Sequence, residues 1–293
     1  MLSRVLDFIY PPTCAVCSGA LKSSNTKPLL CTQCDPARRA TPCNLVSRKL
    51  PVASNIANLH DALHSCLRCG EPSPPNYQKN PICVACEVWP PPLRYVRSLW
   101  YYENQAENCI KAFKYGNKHR LANYFANQLL AALCGSEHYL PIFADANIND
   151  ISAVQSVWDL MLPLPSSHSS TRMRGYAHMA FITRILSRNL GVSASLEALY
   201  SPTNRLAQAK LGYKERFQNA KSAFAARGKV VKGKKIVLID DVMTTGASLW
   251  SAAWCLLDAG AISVDALTIS RSKHFGSLRL NSARQHIAES FVA

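Results

Sequence analysis

Nowhere in this chain does an apolar run reach the roughly 18 residues that a membrane-spanning helix needs. The longest such stretch, Ala122 to Leu133, is broken by Asn123, Asn127 and Gln128. A soluble protein with no membrane insertion is expected. An export signal is also missing: the patch Val5, Leu6, Phe8 and Ile9 is interrupted by Asp7, and no small-residue cleavage site precedes Cys14. A cytoplasmic address follows as the expectation. Acid is scarce, with 18 Asp and Glu against 33 Lys and Arg and a net charge of +15. From Arg172 onward there are 18 basic residues against 7 acidic ones, so the second half attracts anions more strongly than the first. Such a surplus suits nucleic acid or a phosphorylated small molecule, or serves solubility alone; charge does not choose among these. With 48% hydrophobic and 17% charged residues the chain is no disordered polymer, and its 293 residues suffice for two domains or one elaborated one.

Regular structure begins after about Pro92. Before it the sequence is rich in Cys, Pro, Asn and Ser with little periodicity. After it, Val96, Leu99 and Tyr101 to Tyr102 predict a strand, and Gln105 to Leu133 carries apolar residues at helical spacing, divided by Gly116 and Asn117. Asp159 to Leu164 is a short apolar run entering a Ser-rich loop, and a helix is expected from Tyr176 to Asn189, closed by Gly191. Leu206 to Phe224 is charged and amphipathic. Lys235 to Ile239 predicts a buried strand, Ala247 to Ala259 a helix, and Ile262 to Ser270 another strand. Strands alternating with helices predict an α/β fold, a mostly parallel sheet flanked by helices, with ligands at the carboxyl ends of its strands. The domain boundaries so expected are 1–92 and 93–293.

Eight of the 12 cysteines form four Cys-x-x-Cys pairs: Cys14 with Cys17, Cys31 with Cys34, Cys66 with Cys69, and Cys83 with Cys86. Thirteen residues separate the first pair from the second, and 13 again separate the third from the fourth, so the region reads as a duplicated ribbon. Two pairs complete a tetrahedral four-sulfur site, and two structural zinc ions are predicted, without an open position for chemistry. Disulfides, a redox pair and an iron–sulfur cluster are the competing readings. A cross-braced pairing, first with third, stays open, as does a contribution from His60 or His64. Cys109 and Cys255 read as small buried hydrophobes.

The strongest single signal is Ile236-Val237-Leu238-Ile239-Asp240-Asp241-Val242-Met243-Thr244-Thr245-Gly246-Ala247-Ser248. An interior strand emerges at two carboxylates, and a hydroxyl-rich turn then opens a helix. Unpaired amides and the positive helix end there favour a phosphate, while Gly246 lets the backbone come close. Asp240 and Asp241 suit the 2- and 3-hydroxyls of a ribose, so the expected ligand is a ribose 5-phosphate. The alternative is an acidic strand end followed by an ordinary Thr cap.

This 13-residue element resembles, position by position, the phosphoribosyl pyrophosphate signature of phosphoribosyltransferases. The run Leu162-Pro163-Leu164-Pro165, the loop Ser166-Ser167-His168-Ser169, then Arg172, Arg174, Gly175 and Tyr176 resembles the strand, pyrophosphate loop and Arg-Gly-aromatic element of the ComF group. Gln208, Arg216, Asn219 and Phe224 resemble that group's spaced pattern, a stretch that covers the site in related transferases, and Lys114-Tyr115-Gly116 resembles its Lys-Tyr-Gly element. Nearly the whole chain is thus similar to the ComF (competence protein F, GntX-like) family. The resemblance implies a type I phosphoribosyltransferase-like domain preceded by a double zinc ribbon, with Asp240 and Asp241 as catalytic residues. Val242 to Ser248 would bind the phosphate, Ser166, Ser167, His168, Arg172, Arg174, Gln208 and Arg216 would face pyrophosphate, and magnesium would accompany phosphoribosyl pyrophosphate. One departure is that the family has Asn-Gln where Ala177 and His178 stand. The tract from Ala144 to Trp158 is longer than the family needs.

Two functions are compatible with this resemblance. One is an accessory role in DNA uptake or DNA utilisation, using the pocket for phosphoribosyl pyrophosphate or a nucleotide ribose phosphate, touching single-stranded DNA and meeting uptake-machinery proteins. Tyr77, Trp89, Trp100, Tyr101 and Tyr102 are then candidate stacking residues or, equally, core. The other is an active magnesium-dependent phosphoribosyltransferase with an unnamed acceptor. No residue set reads a particular base.

Overall fold

A computed structural model describes residues 12–21, 28–40, 66, 68–71, 82–88, 90–135, 155, 157–166, 177–202 and 223–273. Two short helices, α1 (Pro36–Arg39) and α2 (Val84–Val88), lie in the cysteine-rich part. The regular part runs β1 (Val96–Tyr101), α3 (Asn104–Tyr115), α4 (Leu121–Gly135), β2 (Leu160–Pro163), α5 (His178–Leu190), β3 (Ser193–Ala194), β4 (Leu199–Tyr200), β5 (Ala225–Ala226), α6 (Gly228–Val231), β6 (Lys235–Met243), α7 (Ala247–Asp258) and β7 (Ser263–Arg271).

Five strands form one sheet in the order β1-β7-β6-β2-β3, and each neighbouring pair is parallel. Strands covered on both faces read as continuous apolar runs, which is why β6 and β7 stand at the centre. Every residue of β7 is buried. Side chains alternate along β6. Val237 and Ile239 pack with Phe113, Phe125, Leu129 and Met179, whereas Ile236 and Leu238 pack with Leu249, Ala252 and Leu256. The sheet therefore divides two apolar cores.

The helices follow their sequence signals. In α3 the buried residues Ala106, Cys109, Ile110 and Phe113 fall on one stripe, and the Gly116 amide closes the helix on Ala112 O. Asn117 then takes φ 53°, so the predicted division into two helices stands. Helix α5 ends on Gly191 in the left-handed region, as expected from a glycine placed there. Three details differ from the sequence reading. Strand β6 runs on to Met243 because Asp240, Val242 and Met243 stay in register with Thr268, Ser270 and Arg271, and a backbone ladder tolerates polar side chains. Strand β3 and the antiparallel β4–β5 pair have two residues each, too few for a period to show. Trp100 belongs to the core, stacked on Tyr124 at 6.4 Å, while Tyr101 and Tyr102 are half-buried. Tyr77 and Trp89 lie outside the described residues, as do residues 136–154 and 203–222.

Candidate functional site

The chain leaves β2 toward β3 on one side of the sheet and leaves β6 toward β7 on the other, so the strand order reverses between β2 and β6. A crevice opens outside the carboxyl ends of neighbouring strands at such a reversal. The two segments singled out in the sequence meet there. Pro163 pairs with Ile239, and the Leu164 amide donates to Ile239 O at 2.9 Å, so Ser166 leaves β2 beside the strand that carries Asp240 and Asp241.

Beyond Met243 the turn Thr244-Thr245-Gly246 leads into α7. Gly246 has φ 78°, and a Cβ there would stand 1.7 Å from the Trp250 ring, so no other residue fits without rearrangement. The N-terminus of α7 has no side-chain cap on its N-cap residue, Gly246. Thr245 Oγ1 accepts weakly from the Ala247 amide at 3.4 Å, and Thr244, Thr245, Ala247 and Ser248 are exposed. Asp240, Val242, Met243 and the turn enclose a small cavity of about 50 Å³. A larger cavity, about 400 Å³ and lined by Arg68, Ile82, Leu93, Arg94 and Tyr95, lies at the amino-terminal end of β1, away from these strand ends.

The two carboxylates have different surroundings. Asp240 is half-buried and lines the small cavity, and its Oδ1 accepts from the Asp241 amide at 2.8 Å. Burial and the neighbouring charge of Asp241 push its carboxyl up to about 8. Asp241 is buried against the helices on the other face. Its Oδ1 lies 2.7 Å from Lys114 Nζ at the end of α3, and its Oδ2 is bound to His178 Nε2 at the start of α5. Burial alone would raise the Asp241 carboxyl, but the His178 hydrogen bond and the Lys114 charge outweigh it and hold it below the ordinary range. His178 packs edge-on against Phe113 with ring centres 5.5 Å apart. The sequence pointed to Lys114 as a motif residue and to His178 as a departure; nothing in it joined either to Asp241. Among the expected pyrophosphate-facing residues only Ser166 is described; Ser167, His168, Arg172, Arg174, Gln208 and Arg216 lie outside the described residues.

The eight paired cysteines form two clusters, Cys14, Cys17, Cys31 and Cys34 in one and Cys66, Cys69, Cys83 and Cys86 in the other, with all ligand atoms of each within 4.8 Å of one another. Neighbouring pairs thus combine, and the cross-braced scheme is not adopted. Cys17 and Cys31 bring their sulfurs to 3.8 Å, Cys69 and Cys83 to 3.7 Å. A tetrahedral zinc with bonds of about 2.3 Å needs sulfurs about 3.8 Å apart, so both donor sets fit that ion. The duplication read from the spacing reappears in detail: Cys31 N donates to Cys14 Sγ at 3.4 Å, and Cys83 N to Cys66 Sγ at 3.3 Å.

The clusters occupy opposite faces of the sheet. Cys14 belongs to the core that contains α3 and α4, whereas Cys66, Cys69 and Cys86 belong to the core under α7. Beside the first cluster, Tyr124 donates to Asp35 Oδ1 at 2.5 Å, and Cys109 Sγ donates to Cys34 O at 3.3 Å. Burial, with Asp35 adding its charge, pushes the Cys109 thiol up to about 12, in keeping with an inert core cysteine. Cys255 is half-buried, its thiol on Phe224 O at 3.4 Å. His60, His64 and Cys43 lie outside the described residues.

A parallel sheet between helices, an acidic strand and phosphate-type turn at its reversal point, and two four-cysteine clusters define a phosphoribosyltransferase-like α/β protein with metal-ligand modules. Competence protein ComFC of Bacillus subtilis (strain 168) is 27% identical over 218 residues, covering 71% of this chain and 78% of that protein. DNA utilization protein YhgH of Escherichia coli (strain K12) is 24% identical over 259 residues, 88% of this chain and 90% of that one. These relatives, with the two cysteine clusters, place the chain in the ComF family. No family model matches it. Among solved structures, the glutamine phosphoribosylpyrophosphate amidotransferase of B. subtilis overlaps 38% of this chain at 20% identity and a TM-score of 0.29, and the chain spans 22% of that enzyme. Adenine phosphoribosyltransferase from Thermoanaerobacter pseudethanolicus overlaps 45% at 16% identity and a TM-score of 0.26, with 84% of that chain spanned. Among the described residues no helix is long and apolar enough to cross a membrane.

Proposed function

We propose that this protein serves DNA uptake or DNA utilisation in the cytoplasm, and that its crevice binds phosphoribosyl pyrophosphate or a nucleotide ribose phosphate. The observation that carries the ligand reading is the meeting of Asp240 and the Thr244–Ser248 turn in one cavity at the strand-order reversal. The turn offers backbone amides and exposed hydroxyls to the 5-phosphate, and Asp240 faces the sugar. Ser166 starts the loop that would approach a diphosphate, with magnesium bound alongside it and Ser167, His168, Arg172, Arg174, Gln208 and Arg216 closing over it. The DNA role is supported by relatives named for competence and DNA utilisation, and by the net charge of +15, which favours contact with single-stranded DNA.

The cysteine-rich region 1–92 acts as scaffold to the α/β domain 93–293. Its eight thiolates hold two zinc ions, which tie loops without a core of their own to the two faces of the sheet. Calorimetry with phosphoribosyl pyrophosphate, with and without magnesium, tests the pocket. Binding without diphosphate release over a panel of bases supports the accessory role, whereas release makes the chain a transferase. Salt-dependent binding of a single-stranded oligonucleotide tests the DNA contact, and no affinity at low salt removes it.

A further inference from the structure

Adjacent carboxylates at a strand end look in sequence like a pair that grips both ring hydroxyls of a ribose. The structure divides them. Both oxygens of Asp241 are taken within the protein, Oδ1 by Lys114 at 2.7 Å and Oδ2 by His178, and Asp241 and His178 are only 6% and 2% exposed. Turning Asp241 to a bound sugar would strip a buried carboxylate of two partners and leave the Lys114 ammonium without its anion. Asp240 spends Oδ1 on the Asp241 amide and keeps its place in the cavity it shares with the Thr244–Ser248 turn.

We propose that this crevice reads a single sugar hydroxyl, through Asp240, and therefore takes 2-deoxyribose 5-phosphate groups with a free 3-hydroxyl about as well as ribose 5-phosphates. The proposal rests on the sugar-phosphate reading above. The hydroxyl is the 3-hydroxyl, because Asp240 lines the same small cavity as the phosphate turn and the 3-hydroxyl stands one ring carbon nearer the 5-phosphate than the 2-hydroxyl. With no carboxylate left over for the 2-hydroxyl, its loss orphans no buried acceptor, and an orphaned acceptor is what makes a site reject an analogue lacking one group. A carboxyl that stays neutral to about 8 also sits beside a phosphate without repulsion. Two sources offer this chemistry: a free deoxynucleoside 5′-phosphate and the 3′-terminal nucleotide of a DNA strand.

Calorimetry at pH 7 with ribose 5-phosphate, 2-deoxyribose 5-phosphate and inorganic phosphate tests it on the full chain. The two sugars are expected within about threefold of each other, both tighter than phosphate, and a preference for ribose above about tenfold overturns the proposal. Asp240→Asn is expected to bring both sugars down to the affinity of phosphate. Asp241→Asn is expected to leave the ratio of the two sugars unchanged; a loss confined to ribose 5-phosphate would show Asp241 reading the 2-hydroxyl and would overturn the proposal while the sugar-phosphate reading stands. If neither sugar binds better than phosphate in the unaltered chain, both fall. Thymidine 5′-phosphate against oligothymidylates ending in a 3′-hydroxyl or a 3′-phosphate separates the sources. Binding of the mononucleotide alone supports the free one; binding of the 3′-hydroxyl strand, lost with the 3′-phosphate, supports the DNA end. A strand bound equally well with either end is held elsewhere than by Asp240.

Discussion

Arg271, the last residue of β7, donates from Nη1 to the carbonyl oxygen of Cys69 at 2.8 Å, and so fastens the second cysteine cluster to the strand ends that build the site. Its other terminal nitrogen is bound to Glu71. Arg271 is in register with Met243, and the next amide, Ser272 N, donates to Met243 O at 2.9 Å. Only two bonded steps therefore separate a metal ligand from the phosphate turn. The second cluster is a wall of the site's own strands as well as a clamp on a loop.

The two ends of the Arg271–Glu71 pair are unequally wet, since the Arg271 side chain is fully buried while that of Glu71 is 22% exposed. Water can hydrate an abandoned carboxylate but cannot reach an abandoned guanidinium. Glu71→Leu is expected to cost about 3–5 kcal/mol, the usual penalty for an uncompensated buried charge, and Arg271→Met distinctly less. Urea unfolding of the zinc-loaded variants measures both. The reverse order would mean that water enters at Arg271.

Metal analysis is expected to find two zinc ions per chain, released in two phases by a chelator. In the first cluster Cys17 is exposed and Cys31 and Cys34 are half-buried, whereas in the second only Cys83 is not buried. Ligand exchange begins at a sulfur the chelator can reach, so the fast phase belongs to the first cluster. A metallochromic dye follows both phases. Cys17→Ser should remove the fast one, and loss of the fast phase on Cys69→Ser instead would reverse the assignment.

Much of this was legible in the residues. The Cys-x-x-Cys repeats announced their own geometry, because four thiolates at those spacings have few other uses, and the run Ile236 to Ser248 placed strand, turn and helix to within a few residues. What stayed hidden is long-range pairing of polar groups. Asp265 is buried beneath the sheet edge with Arg94 at 2.5 Å and Trp158 Nε1 at 2.8 Å, and Arg271 crosses to a residue 200 positions earlier. Sequence periodicity reports which face is apolar; it says nothing about which charge meets which across the fold. For the same reason Asp240 and Asp241 read as equals, although adjacent strand residues point to opposite faces.

Gly246→Ala is expected to abolish phosphate binding and to destabilise the chain. The position has φ 78°, which costs a residue with a Cβ about 1–2 kcal/mol, and the added carbon would press into the Trp250 ring. Trp250→Ala in the same chain removes the collision but not the backbone strain, so it should return part of the stability. Thermal unfolding and phosphate calorimetry on the single and double variants check this, and an unchanged phosphate affinity in Gly246→Ala would mean that the turn does not hold the anion.

The Asp240 carboxyl makes stability depend on pH in a direction opposite to that of an ordinary paired carboxylate. Its value in the folded chain lies near 8, against 3.8 for an unperturbed group. Between those values the unfolded chain has released the proton while the folded chain retains it, so the unfolded state binds fewer protons and stability falls as pH rises through that window. Above about 8 both states are ionised and the loss is complete; below 3.8 both are protonated and nothing is lost. Asp241 acts the other way: its carboxyl is held low, and its contribution disappears only as pH drops below the ordinary range. Asp240→Asn replaces the group by a neutral one of the same shape and so removes only the first effect. The variant is expected to melt at a higher temperature than the parent at pH 8, by about 2–4 °C for each kcal/mol regained. The difference should shrink steadily as pH is lowered and vanish near pH 4. Melting curves of both proteins across that range decide it, and parallel curves would show that Asp240 ionises freely and that the crevice is open to water at its side.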